Sequence, residues 1–162
     1  MERMTFSFPF TLIQETELSE PDSALIAAAR RACLTAYAPY SRFHVGAAAL
    51  LENGETVCGS NQENASFTVG TCAERCTLYY ANARFPGVAV RTLAIAACKD
   101  DGIFIPAPIT PCGACRQALI EIEQKQRVPM RLLLYGSEKI YCIEKAADLL
   151  PLHFGANTLD GQ

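Results

Sequence analysis

The chain has 162 residues, the length of one domain, and at 50% hydrophobic and 19% charged its composition excludes a disordered chain. Fourteen Lys and Arg against 17 Asp and Glu give a formal charge of -3, which disfavours a long nucleic-acid partner because no basic stripe is available for its backbone. The first 15 residues carry Glu2, Arg3 and Glu15 but no apolar run with a small-residue cleavage site, and uncharged stretches such as 102–115 are too short and proline-rich to cross a bilayer. A cytoplasmic protein with neither membrane nor nucleic acid as partner is expected.

In chain order, Ser19 with Asp22 three residues on, and Pro21 between them, open a helix. Its apolar stripe runs through Leu25, Ala28, Ala32 and Ala36, and Pro39 ends it. His44 to Leu51 and Thr56 to Gly59 are strand-like and flank Asn53-Gly54, a hairpin signal. Thr71 to Ala83 is helical in composition, and Arg91 to Lys99 is a buried strand. Pro111 opens a helix through Ile122. Arg131 to Tyr135 is a strand, Lys139 to Ile143 a weaker one, and Ala146 to Leu150 a short helix before Pro151. Strands alternating with helices after a hairpin predict an α/β fold, a three-layer sandwich whose central mixed β-sheet is flanked by helices.

Eight cysteines in a cytoplasmic chain point to metal or catalysis before disulfides. Cys72, Cys112 and Cys115 fall at or near predicted helix starts, where the dipole and free N–H groups favour the thiolate. The Cys112–Cys115 spacing lets both sulfurs reach one ion on a first helical turn, and Cys72 adds a third from another helix. Three ligands leave a tetrahedral zinc one open position. Glu74, two residues past Cys72, is placed for proton transfer beside it. Arg75 is placed to donate to the sulfurs and offset their charge, and Arg116 is a second candidate. Cys76 lies four residues after Cys72 on the same helical face, which leaves open a closed four-cysteine structural zinc in a non-catalytic module. Cys33, Cys58, Cys98 and Cys142 sit in apolar stretches and read as core residues.

Cys-x-Glu followed by Pro-Cys-x-x-Cys is the signature of zinc nucleobase deaminases. The sequence resembles the cytidine deaminase family beyond that motif. Phe43-His44-Val45-Gly46-Ala47 is similar to the family's Phe-x-Val-Gly-Ala, Asn61-Gln62-Glu63-Asn64-Ala65 to its Asn-x-Glu-Asn-Ala, and Leu149-Leu150-Pro151 with Phe154 to its Leu-Leu-Pro-x-x-Phe. Cysteine at position 72 resembles the short-chain, homotetrameric branch. The resemblance implies hydrolytic deamination of free cytidine and deoxycytidine in pyrimidine salvage, with zinc on Cys72, Cys112 and Cys115 and Glu74 moving the proton. It implies nucleoside contacts from Phe43 on the base, Asn61 and Glu63 on the ribose 3'-hydroxyl, and Ala65 in the same segment. Phe154 would reach a neighbouring subunit's pocket.

Taken alone, Asn61 and Glu63 would read as a solvated loop, and Phe43 and Phe154 as core aromatics. Against the family core, residues 1–18 are an N-terminal extension to a single domain at 19–162, and Asp100 to Thr110 is an added segment. Phe67 stands where tyrosine is common, Thr68 where proline or glycine is expected, and His44 replaces a usual proline. A deaminase of another aminopyrimidine, such as blasticidin S, shares the cysteine motifs. The Asn61-x-Glu63 pair favours nucleosides over it.

Overall fold

The computed structural model describes residues 1–159. Its core is one six-stranded sheet. The strands are β1 (Thr11–Ile13), β2 (Phe43–Leu51), β3 (Thr56–Ser60), β4 (Val90–Lys99), β5 (Arg131–Tyr135) and β6 (Ile140–Ile143), in the spatial order β1-β6-β5-β4-β2-β3. Only β4 and β5 pair in parallel; the other ladders are antiparallel, so the sheet is mixed. Three longer helices cover it, α1 (Glu20–Ala32), α2 (Ala73–Arg84) and α3 (Gly113–Gln126), and a short α4 (Ala156–Leu159) follows.

Strand alternation sorts the side chains into two apolar layers. Val45, Ala47 and Ala49 of β2, Leu93, Ile95 and Ala97 of β4, and Leu132 and Leu134 of β5 face α2 and α3, meeting Leu78, Ala81 and Leu119. Ala48, Ala94, Ala96, Cys98 and Leu133 face the other way and pack on Leu25, Ile26 and Ala29 of α1 and on Cys33 just after it. The result is the predicted three-layer α/β sandwich. Small residues on β2 let α1 approach closely. A Cβ at Gly46 would stand 2.1 Å from the Ala29 carbonyl oxygen and 2.5 Å from the Cys33 nitrogen.

The β2–β3 hairpin forms as its Asn-Gly signal predicts, with Gly54 at φ 85°. Three details differ from the sequence expectation. First, α1 stops at Ala32 and passes into a 3-10 turn over Cys33–Thr35, well short of Pro39. The Thr35 hydroxyl donates to the Ala32 carbonyl at 2.9 Å, a side-chain bond that competes with continued helix, and Tyr37 instead bridges to Gln62. Second, α3 continues four residues past Ile122 through a strongly helix-forming polar run and ends where Arg127 turns left-handed at φ 56°. Third, the 1–18 segment supplies β1, which adds an edge strand beside β6, with Phe10 edge-on to Tyr141 at 5.1 Å between centroids. Three residues are too few for period-two patterning to stand out.

Because β3 and β4 are both antiparallel to β2, they run the same way, and α2 and α3 both begin at the end of the sheet where β3 and β4 finish. That end also holds the start of β2. Ligands of α/β sheets gather at such strand ends.

Candidate active site

Cys72 is the N-cap of α2 and Cys112 the N-cap of α3, both with extended backbone, and Cys115 follows in the first turn of α3. Neither N-cap sulfur caps its own helix. The two face each other at 3.8 Å, too far for a disulfide, and all eight cysteines are free. With Cys115 the three sulfurs lie within 4.8 Å of one another, a grouping that can hold one metal ion. Cys76 is not in that grouping; its N–H bonds the Cys72 carbonyl at 3.0 Å as an ordinary helical residue. The closed four-cysteine site therefore lacks its fourth sulfur.

The electrostatics suit a cation. The Cys72 thiol is drawn down to about 5 by a hydrogen bond from Cys115, reinforced by Arg75 and Cys112 against the opposing effect of burial. Cys115 is pushed strongly up by that same bond and by burial. A bound dication would displace thiol protons from the triangle. Arg75 Nε is buried with no hydrogen-bond partner among the described residues, and its guanidinium stands beside Cys72 and Cys115. A thiolate-rich metal centre would use that donor. Arg116, the other cationic candidate, is spent elsewhere. Its guanidinium donates to the carbonyls of Pro111 at 2.8 Å and Leu149 at 3.0 Å, tying the α3 entry loop to the C-terminal segment.

Glu74 is 4% exposed, and burial raises its carboxyl above the ordinary range. This buried carboxyl stands in the first turn of α2, two residues past the Cys72 cap, with the Cys115 thiol and the Arg75 cation beside it, a setting typical of functional carboxyls.

A cavity of about 270 Å³ opens beside Cys72 and Arg75, with Asn61, Glu63, Tyr40 and Phe67 among its walls. The wall is a short three-stranded patch beyond β3. Tyr37 N–H donates to the Asn61 carbonyl and Glu63 N–H to the Tyr37 carbonyl, while Gln62 and Thr71 exchange both of their bonds at 2.9 Å. The Asn61 side chain clamps the start of β2, accepting from Val45 N–H at 2.8 Å and donating to the Phe43 carbonyl at 2.9 Å. One amide hydrogen of Asn61 is left over. Glu63 accepts from the N–H groups of Tyr40 and Ser41. The Ser41 hydroxyl, then these two N–H groups, hold its carboxyl below the usual range.

The remaining predicted residues are less gathered. Phe43 packs against the α2/α3 side of the core, Ala65 is exposed, and Phe154 is 59% exposed with its carbonyl accepting from Gln117 Nε2 at 2.7 Å. Tyr40, Gln62 and Thr71 line the cavity although sequence reasoning gave them no role.

A family model, the cytidine and deoxycytidylate deaminase zinc-binding region, matches residues 19–131. The chain belongs to this family. Zinc is the metal that the family region binds, and the three-thiolate set fits it. A cytidine deaminase from Halalkalibacterium halodurans is 43% identical over 89 residues, 54% of this chain and 61% of that protein. The chain thus spans about three-fifths of that relative's length. Among solved structures, cytidine deaminase from Burkholderia pseudomallei aligns with a TM-score of 0.69 at 37% identity, covering 85% of this chain and all of the other. The Mycobacterium tuberculosis enzyme gives 0.60 at 35% identity, covering 82% and 95%. Among the described residues no helix is long and apolar enough to cross a membrane.

Proposed function

We propose that this member of the deaminase family hydrolyses free cytidine and deoxycytidine to uridine and deoxyuridine with release of ammonia, as a cytoplasmic step of pyrimidine salvage. One observation carries the reading: three sulfurs converge at the starts of two helices with the buried carboxyl of Glu74 beside them. Cys72, Cys112 and Cys115 would hold zinc, which as a Lewis acid makes water a competent nucleophile near neutral pH. Arg75 offsets the charge of the three thiolates. Glu74, with its proton affinity raised by burial, takes the proton of the water that attacks C4 and passes it to N3. Glu74 then takes the remaining proton of the new C4 hydroxyl and hands it to the amino group, which leaves as ammonia as the C4–N bond breaks and the C4 carbonyl forms.

Asn61 offers its spare amide hydrogen, and Glu63 its remaining acceptor capacity, to the ribose 3'-hydroxyl; Ala65 lies on the same segment. Phe43 packs on the base. Phe154, exposed in one subunit, completes a neighbour's site in a homotetramer, whose contacts would also cover Tyr79 and Tyr80 on α2. The test is the ultraviolet change of cytidine with zinc-replete protein, beside Glu74→Gln. Turnover by the wild type and loss of nearly all of it in the variant, with zinc retained, is the expected result; a near-normal kcat in the variant removes Glu74 from the proton path.

A further inference from the structure

The rim of the cavity is built on a costly backbone conformation. Arg42 sits in the left-handed region at φ 55°, a position that non-glycine residues occupy only when neighbouring contacts hold them there. The contacts are visible on both sides of it. Arg42 N–H donates to the Ala38 carbonyl at 3.0 Å. Tyr40 and Ser41 N–H groups donate to Glu63 at 2.9 and 3.2 Å, and Phe43 N–H donates to the Ser41 hydroxyl at 3.1 Å.

One further pair anchors this rim to the opposite strand. His44, next to Phe43 and 24% exposed in its side chain, meets Asp100 Oδ1 through Nε2 at 2.7 Å. Asp100 Oδ2 lies 3.9 Å from Arg42 Nε. Asp100 follows the last residue of β4, whose Lys99 and Cys98 pair with Phe43 and His44. His44 is also near enough to Glu63 to favour its ionised form. Asp100 therefore holds both residues that flank Phe43, while Glu63 holds the two residues before Arg42. Nothing in the proton path uses this pair, and Asp100 belongs to the segment that the sequence adds to the family core.

We propose that His44 and Asp100 are positioning residues that fix the Tyr40–Phe43 rim, and with it Phe43 and Glu63, for nucleoside binding. This rests on the deaminase reading for its kinetic consequence, and on geometry alone for its structural one. The rim clamp sets affinity and leaves the chemical step to Glu74.

The experiment uses the full-length, zinc-replete chain. His44→Ala and Asp100→Ala should each raise KM for cytidine about tenfold with kcat within about twofold, the size expected for losing one charge-assisted hydrogen bond at a binding edge. The double variant should be no worse than either single one, because both remove the same interaction. His44→Gln, which keeps a donor toward Asp100, should recover most of the affinity. Unchanged KM, or additive losses in which kcat falls as KM rises, would overturn the clamp.

Amide hydrogen exchange without nucleoside separates this proposal from the deaminase reading. Tyr40 and Ser41 amides should exchange about tenfold faster in either alanine variant. Equal exchange in wild type and variants overturns the clamp whatever the enzyme turns over. A wild type inert toward cytidine, with faster exchange in the variants, overturns the substrate assignment and leaves the clamp standing.

Discussion

Cys76 and Arg75 are neighbours on one helix turn with opposite expectations. Cys76 lies outside the sulfur triangle, so Cys76→Ala should leave zinc content and turnover within about twofold of wild type, checked by metal analysis and steady-state rates. Arg75→Gln removes the cation beside Cys72 and Cys115 and should weaken zinc binding roughly 10- to 100-fold in a chelator competition. The buried thiols predict an alkaline limit. Cys33 is pushed up to about 12, first by burial and next by Cys98, so the folded state keeps a proton that an unfolded thiol sheds near its ordinary value. Its contribution is therefore complete below pH ~9 and is lost as pH rises toward 12, at up to ~1.4 kcal/mol per pH unit. Denaturant melts across that window should show a shallower decline for Cys33→Ala than for wild type; equal slopes would assign the decline to other groups.

Among the elements, the tightest joint is α1 on β2. Gly46→Ala would drive a methyl group into the backbone of Ala29 and Cys33, and should cost about 2–4 kcal/mol in a denaturant melt. A second joint is polar. The Glu123 carboxylate near the end of α3 accepts from the N–H groups of Met130, Ala146 and Ala147, which fastens the entry to β5 and the 3-10 turn after β6 to one helix. Glu123→Ala strands the Met130 and Ala147 N–H groups, while Ala146 N–H keeps the Met130 carbonyl at 3.0 Å, and should cost about 2–4 kcal/mol by the same measurement. Most elements were legible because they carry periodicity, composition or strong punctuation: β4 and β5 as apolar runs, the hairpin by Asn53-Gly54, α2 by its helical composition and α3 by Pro111 ahead of it. Glu123 was not legible, since a glutamate in a polar helical run reads as solvated surface. The early end of α1 was hidden too, because it depends on where Thr35 and Tyr37 find partners across the fold. Within the site, the cysteine triangle and Glu74 could be read from motif spacing, whereas Thr71 enters through its bridge to Gln62 and Tyr40 through its N–H bond to Glu63, both made only in the folded chain.

For the molecule as a whole, the metal position joins helices that begin 40 residues apart in sequence. Zinc binding only the native arrangement stabilises it by mass action, so chelation should lower the melting temperature by several degrees and zinc should restore it. The sheet closes at its far edge in another way. β1 pairs Thr11 with Cys142, so the first of the six described strands waits for the last. At ribosomal speeds of about 5–20 residues per second, that wait lasts roughly 6 to 30 s, during which Phe6, Phe8 and Phe10 have no sheet edge to join. For that interval the segment is open to chaperones and to capture by other nascent chains.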